Sequence, residues 1–123
     1  MTRRAPRSLL NVDDARVNAV LVILGIRLAD ALEAFVARPG HHVRRGDVRF
    51  VTIRRRVTAG LRELRCGGET LSFPEIARLV GTTGHATVIG RCQTVRRLGL
   101  LSDAEIMALR RGGAVEPGDR RTA

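Results

Sequence analysis

Arginine side chains are concentrated in one short stretch of this chain. Residues 41–66 contain eight arginines and two acidic residues, whereas residues 98–123 contain four of each. A guanidinium group donates several hydrogen bonds in a planar fork that matches the oxygen atoms of a phosphate. The clustering therefore predicts contact with an anionic surface, such as the backbone of a nucleic acid or the headgroups of a lipid layer.

The composition limits the kind of protein that this chain can form. It has 123 residues, a net charge of +10 and 44% hydrophobic residues, which suits one domain with its own core. All 22 basic residues are arginine, and a GC-rich genome would produce the same usage because arginine codons are rich in G and C. The chain has no Trp, no Tyr and three Phe, which disfavours stacking of unpaired bases on aromatic rings.

The sequence contains no recognisable active-site or metal-binding pattern. Cys66 and Cys92 are too few for a disulfide scaffold or a four-ligand zinc site, so we expect two free thiols. The histidines and acids have no metal-ligand spacing, and neither a nucleophile motif nor the phosphate loop of an ATPase is present. The N-terminus lacks the apolar segment of a signal peptide, and the apolar run 19–26 is too short to cross a bilayer. We expect a cytoplasmic protein without catalytic residues, metal, cofactor or membrane partner.

Apolar spacing predicts helices along the whole chain, and no run alternates with the period of a strand. The first helical segment is expected over residues 13–36, where Gly25 could divide it in two. Residues 39–40 end that segment, and Asp47 is expected to cap a long helix that stops at residues 67–68. The long helix has an apolar stripe formed by Phe50, Ile53, Val57, Leu61 and Leu64. We therefore expect an all-α fold, a small helical bundle.

Capping signals mark three shorter helices. The spacing of Ser72 and Glu75 is that of a capping box, which predicts a helix over 73–80 that ends at Gly81. A second helix is expected from about 84 to 98, capped by residues 82–83. A third follows a capping box over 102–105 and ends at 112–113. The first two, joined by a short turn, have the size of a helix-turn-helix, although an ordinary corner between two helices has the same spacing.

Residues 72–95, SFPEIARLVGTTGHATVIGRCQTV, resemble the C-terminal DNA-binding domain of the bacterial replication initiator DnaA. Members of that family carry S-L-P-E-I-G-x-x-F-G-x-R-D-H-T-T-V, followed by an amphipathic helix. The positions that match without a gap are Ser72, Pro74, Glu75, Ile76, Gly81, His85, Thr87 and Val88. A looser likeness covers residues 20–97. The resemblance implies a Trp repressor-like helical domain that binds duplex DNA and lacks the initiator's ATPase module.

The resemblance also implies which residues would read bases. In the family, the start of the second helix lies in the major groove. The residues expected there are Thr82, Thr83, His85, Ala86, Thr87 and Arg91. Thr83 and Gly84 stand where the family has Arg-Asp, and a threonine lacks the reach with which an arginine pairs with guanine. We therefore expect this chain not to read the family's usual box tightly.

Arginines before this segment correspond to positions that hold the DNA backbone in the family. Residues 44–45 lie in the loop that would enter the minor groove. Either Arg49 or Arg54 matches an arginine that opens the long helix and contacts phosphate, and Arg62 matches a basic position near its end. The expected minor-groove or phosphate contacts are Arg44, Arg45, Arg49, Arg54, Arg55, Arg62 and Ser72. Such contacts would supply most of the affinity and make it sensitive to salt.

DNA binding is the expected function, and a role in protein–protein interaction is the open alternative. We expect residues 11–112 to form a helical domain that binds double-stranded DNA through a helix-turn-helix at 72–97. Residues 1–10 and 113–123 are expected to be disordered. Such a domain would serve as a regulator, a mobile-element protein or a competitor for initiator sites. The alternative is a helical interaction protein that forms a homodimer through the 13–36 helix and whose positive charge is incidental.

Overall fold

The computed structural model describes residues 7–38, 42–43, 47–82 and 84–112. These ranges are mostly helical and contain six helices and two small hairpins. The helices are α1 (Ala15–Leu24), α2 (Leu28–Ala34), α3 (Val48–Glu63), α4 (Phe73–Val80), α5 (His85–Leu98) and α6 (Asp103–Arg111). The strands are β1 (Ala37–Arg38), β2 (His42–Val43), β3 (Arg65–Cys66) and β4 (Glu69–Thr70). None of the described helices is long and apolar enough to cross a membrane.

Local capping contacts set the ends of most helices. The Asp47 carboxylate accepts a hydrogen bond from the Arg49 backbone N–H (2.9 Å) and caps α3, as its position predicts. Ser102 and Glu105 form a reciprocal capping box at the start of α6. Gly25 adopts a left-handed conformation with φ 66° and ends α1, so the expected 13–36 segment is divided there into two helices.

The expectation that the chain is helical throughout is wrong at two places. β1 pairs with β2, and β3 pairs with β4, each in antiparallel register. Gly67 and Gly68 have φ values of 62° and 86°, and a tight hairpin turn needs such positive angles at both central residues. They therefore turn a hairpin instead of ending α3, which stops at Glu63. Strands of two residues are too short to show the alternation that would predict them.

The long helix α3 lies at the centre of the fold and packs against the other five helices. Its expected apolar stripe is confirmed, because Ile53, Val57 and Leu61 are buried in one core with side chains from every other helix. α1 crosses α3 closely at Gly60, where a Cβ atom would lie 2.7 Å from Cγ1 of Val20. A glycine is therefore needed at this crossing to let the two helices approach.

Residues that precede the expected start of the domain at residue 11 already pack against its core. Leu10 is buried, the Leu9 backbone N–H donates to the Phe35 carbonyl (2.9 Å), and the Asn11 N–H donates to the Leu79 carbonyl (2.8 Å). The expectation of disorder up to residue 10 is therefore wrong for residues 7–10, because leucine side chains and backbone hydrogen bonds hold them in place. Residues 1–6 and 113–123 lie outside the described ranges.

The apolar stripe over residues 13–36, which the alternative homodimer would use, is largely buried in the core of the protein itself. Val17, Val20 and Leu24 of α1 are buried in the core, as is Phe35 after α2. The exposed apolar side chains of this region include Val22 of α1 and Leu28 of α2. The stripe that predicted helices over 13–36 therefore serves mainly to attach α1 and α2 to α3.

Candidate nucleic-acid interface

Helices α4 and α5 and the short turn between them lie where the sequence predicts them, to within one residue. The Ser72 hydroxyl accepts a hydrogen bond from the Glu75 backbone N–H (3.2 Å) and caps α4. The two helices pack against each other and against α3. Ile76 of α4 and Val88 of α5 are fully buried, which fixes both helices to the core.

The turn after α4 is braced by the N-terminal segment. Gly81 has φ 79°, a left-handed conformation that ordinary residues adopt at a cost. A Cβ atom added at Gly81 would lie 2.3 Å from Cβ of Leu9, so this turn and residues 9–11 are in direct contact. Gly81 therefore meets two requirements at once: a positive φ and a close approach between two chain segments.

The first turn of α5 is open to solvent. Its N-cap is Gly84, which makes no side-chain capping bond, and its first turn contains no acidic residue. Gly84, His85, Ala86 and Thr87 are all exposed. The unpaired N–H groups at the start of a helix carry partial positive charge and favour anions. This turn therefore presents hydrogen-bond donors and short side chains without a competing carboxylate of its own.

Capping of α5 by Thr82 is corrected by the structure. The Thr82 hydroxyl donates to the Gly84 carbonyl (3.1 Å), and among the described residues no side chain caps the first N–H groups of α5. Thr83 lies outside the described ranges. The expected threonine cap is not formed by Thr82 because α5 begins at His85, one residue later than the sequence suggests, and Gly84 occupies the N-cap position.

The inner face of α5 is narrow. Val88 and Val95 are buried and Cys92 is half-buried, at the i, i+4 and i+7 positions of one stripe. Burial raises the pKa of the Cys92 thiol, so the thiolate is disfavoured, as befits the small packing residue that the sequence suggests. The other residues of α5 are exposed or half-buried, and the exposed ones include His85, Ala86 and Thr87 in its first turn.

A buried ion pair connects α1 to the start of α4. The Arg16 guanidinium donates to both carboxylate oxygens of Asp14 (3.0 and 2.8 Å) and to Glu75 Oε2 (3.0 Å). Asp14 also caps α1 by accepting from the Arg16 backbone N–H (2.8 Å). The hydrogen bonds that Arg16 donates to Asp14 raise the pKa of Arg16 above its usual value. The capping signal of Ser72 and Glu75 was visible in the sequence, but the bond of Glu75 to Arg16 was not, because those residues are far apart along the chain.

The Asp14 carboxylate is expected to make the stability depend on pH in acid. Burial alone would raise its pKa, but hydrogen bonds and charge from Arg16 outweigh burial and hold the pKa below its usual value. A depressed pKa contributes stability that is present above the unfolded-state value and is lost as the pH falls through the folded-state value.

The unfolding free energies of the parent and Asp14→Asn are therefore expected to differ at neutral pH and to converge between about pH 5 and pH 2. Urea unfolding across this pH range measures the difference. Asp13→Asn, at the exposed neighbouring position, is the matched control. A difference between the parent and Asp14→Asn that is the same at every pH would contradict the role of the ionised carboxylate.

The three consecutive arginines of α3 have three different environments. Arg54 is 8% exposed and its Nη1 donates to the Ala34 carbonyl (2.9 Å). Arg56 donates to the Leu100 carbonyl (3.1 Å) and forms an ion pair with Glu105. Arg55 is half-buried, and within the described residues it has no hydrogen bond or ion pair. Arg54 is thus too buried for the surface phosphate contact expected of it, whereas Arg55 is available.

Arg91 of α5 lies next to this run. Its side chain is half-buried, Nη1 donates to the Thr58 hydroxyl (3.1 Å), and the guanidinium lies 5.8 Å from the centre of the Phe35 ring. Burial, with the charges of Arg54 and Arg55, lowers the pKa of Arg91 to about 10. The structure therefore brings Arg54, Arg55 and Arg91 together, although the sequence analysis assigned them to different parts of the interface.

The remaining expected contacts are spread along α3 and its flanks. Arg62 donates to the Leu71 carbonyl (2.7 Å) and lies 4.1 Å from the centre of the Phe73 ring, which places it beside the exposed cap Ser72. Arg49 is exposed at the start of α3, with its guanidinium 3.8 Å from the Asp47 carboxylate. Residues 44–45, assigned to the minor groove, lie outside the described ranges.

A cavity of about 250 Å³ lies on another side of α5, between α3 and α6, and its lining includes Arg62, Glu63 and Cys92. Within the described residues, no three His, Cys, Asp or Glu side chains converge where a metal ion could be held. The features that stand out are thus the open first turn of α5 and the arginines beside it. Comparisons of the chain with protein-family models, with curated proteins and with solved structures found no match.

Proposed function

We propose that this protein binds double-stranded DNA, with α4, the turn and α5 acting as a helix-turn-helix and α5 lying in the major groove. One observation carries the proposal: the first turn of α5 is exposed, uncapped by a side chain and free of acidic residues. The backbone N–H groups at such a helix start form a favourable binding site for a phosphate group. The position of this turn in a chain of net charge +10 adds a long-range attraction to DNA.

Base reading would come from the exposed side chains at the start of α5. The His85 imidazole offers a donor and an acceptor, Thr87 offers a hydroxyl, and the Ala86 methyl suits contact with the methyl group of thymine. None of these gives the bidentate contact that arginine makes with guanine, so we propose modest sequence preference. The resemblance of residues 72–95 to the DnaA domain supports this placement of α5.

Affinity would come mainly from contacts between arginine and phosphate. Arg49 and Arg55 are the available side chains on α3, and Arg62 lies beside Ser72 at the start of α4. We propose a DNA-associated cytoplasmic protein that acts as a regulator, as part of a mobile element or as a competitor for initiator sites, since it carries no ATPase motif.

Ala86→Glu is expected to weaken duplex binding at least about tenfold, because a carboxylate would face the phosphates or base edges. The same change should leave the fold intact, since an acid in the first turn of a helix is favourable. Fluorescence anisotropy with a labelled duplex of mixed sequence, repeated across a salt series, measures the effect. For the parent, the logarithm of the binding constant should fall by roughly 0.9 per phosphate contact for each tenfold rise in salt.

Ala104→Glu is the matched control, because Ala104 is also exposed and is also the second residue of its helix, α6. It adds the same charge away from the proposed interface and is expected to leave binding close to that of the parent. Equal binding by the parent and Ala86→Glu would place the interface elsewhere, and no binding by the parent at low salt would overturn the proposal. Selection of bound duplexes from a random pool would then identify any preferred sequence.

A further inference from the structure

We infer that Arg55 and Arg91, with the buried charge of Arg54 behind them, form a binding site for a single phosphate-class oxyanion where α3 and α5 meet the end of α2. We take the oxyanion to be a backbone phosphate of DNA, and this identification rests on the proposed function. A free phosphate has the same chemistry and is distinguished in the experiment below.

The cluster is built from buried groups on three elements. Arg91 Nη1 on α5 donates to the hydroxyl of Thr58 on α3, and this hydroxyl donates to the Arg54 carbonyl (2.7 Å). Thr58 is fully buried. Arg54 Nη1 donates to the Ala34 carbonyl, which belongs to the last turn of α2, and the ring of the next residue, Phe35, lies 5.8 Å from the Arg91 guanidinium. Both guanidinium groups thus lie near the end of α2, Arg54 through its bond to Ala34 and Arg91 beside the Phe35 ring.

The charges of these arginines are not balanced by any described carboxylate. Arg54 and Arg91 donate only to neutral oxygen atoms, and Arg55 has neither a hydrogen bond nor an ion pair in the described ranges. Among the other buried or half-buried arginines, Arg16 is paired with Asp14 and Arg56 with Glu105. Arg62 and Arg65 also donate to carbonyl oxygens, but neither is part of this cluster. Removing like charges from water without a counterion is unfavourable, so a bound anion would stabilise this cluster.

The mutual repulsion is visible in the acid–base properties of the cluster. Burial, followed by the charge of Arg55, lowers the pKa of Arg54. Burial also lowers the pKa of Arg91, and the charges of Arg54 and Arg55 lower it further. An oxyanion held by Arg55 and Arg91 would relieve this repulsion and accept hydrogen bonds from their guanidinium groups.

The site lies beside the proposed base-reading turn. Thr87 and Arg91 are four residues apart on α5 and so share a face, about 6 Å apart along the helix axis. A duplex that accommodates the first turn of α5 in its groove therefore presents a backbone phosphate close to Arg91. Arg55, half-buried on α3, is positioned to receive the same phosphate.

Thermal unfolding of the full chain tests the site without DNA. Millimolar inorganic phosphate, compared with chloride at equal ionic strength, is expected to raise the Tm of the parent in a saturable way, by at least about 5 °C. Arg91→Gln keeps a donor for Thr58 but removes the charge. It should abolish the phosphate-specific rise and unfold at a higher temperature than the parent in chloride. Arg55→Gln, at the half-buried position on α3, should also reduce the rise.

The control is Arg111→Gln, which removes the same charge from an exposed position in the last turn of α6. It should keep the full response to phosphate and so account for any general effect of the anion on stability. A response in Arg91→Gln and Arg55→Gln equal to that of Arg111→Gln would overturn the inferred site.

Titration of the same variants with duplex DNA shows whether the bound oxyanion is a DNA backbone phosphate or a free phosphate. Arg91→Gln should lower the binding constant about tenfold and the salt slope by roughly one, while Arg111→Gln should change neither. If the parent binds duplex and Arg91→Gln binds equally well with an unchanged slope, the inference fails and the proposed function stands. If the parent binds no duplex but phosphate raises its Tm through Arg91, the proposed function and the DNA source fail, and the site binds a free oxyanion.

Discussion

Replacing Arg16 with methionine is expected to lower the free energy of unfolding by about 3–5 kcal/mol. Methionine preserves most of the apolar stem but leaves the buried Asp14 carboxylate without the two guanidinium hydrogen bonds that now compensate its charge. It also releases Glu75 from α1, which removes a direct link between α1 and the first turn of α4. Urea unfolding at neutral pH, followed by far-UV circular dichroism, measures the loss.

Arg110→Met is the matched control for this prediction. Arg110 also forms an ion pair, with Glu63 at 2.9 Å, but its side chain is 57% exposed, compared with 8% for that of Arg16. Exposed ion pairs contribute roughly 0–1 kcal/mol, so the same substitution should have little effect there. Equal losses in the two variants would mean that the buried position of the Arg16 pair has no special importance. A double-mutant cycle of Arg16→Met with Glu75→Gln would measure the α1–α4 link itself.

Gly81→Ala is expected to destabilise the protein by about 2–5 kcal/mol, through two additive effects. A left-handed conformation costs an ordinary residue about 1–2 kcal/mol, and Gly81 has φ 79°. The new Cβ would also lie 2.3 Å from Cβ of Leu9, and such overpacking costs about 1–3 kcal/mol more. The same urea unfolding experiment measures the total.

Gly25→Ala separates the two effects. Gly25 has φ 66°, but an added Cβ there meets no atom within 4 Å, so only the conformational cost applies. Its loss should therefore be about 1–2 kcal/mol. Adding Leu9→Gly to Gly81→Ala should recover part of the larger loss, because it removes the atom that the new methyl group meets. Equal losses at Gly25 and Gly81 would show that residues 9–11 do not brace the turn before α5.

Local signals in the sequence predicted most helices and their caps. The caps at Asp47 and Ser102 and the C-terminal glycines Gly25 and Gly81 are all found where the sequence places them. These features depend on contacts within four or five residues, so the order of residue types is enough to specify them. The hairpin at Gly67–Gly68 was missed because its strands are too short to produce a period.

By itself, the sequence determined a mostly helical chain with its positive charge concentrated before and within α3, since composition and spacing are properties of the chain. It also predicted the positions of α4, the turn and α5. Only the tertiary structure decided the role of each arginine. Arg54 is buried against the end of α2, Arg56 is paired with α6, and Arg55 remains available beside Arg91. Three consecutive residues of a helix point in different directions, and the partners of Arg54 and Arg56 lie 20 and 49 residues away in the chain. Such partners depend on how the helices pack, which no local pattern of residue types encodes.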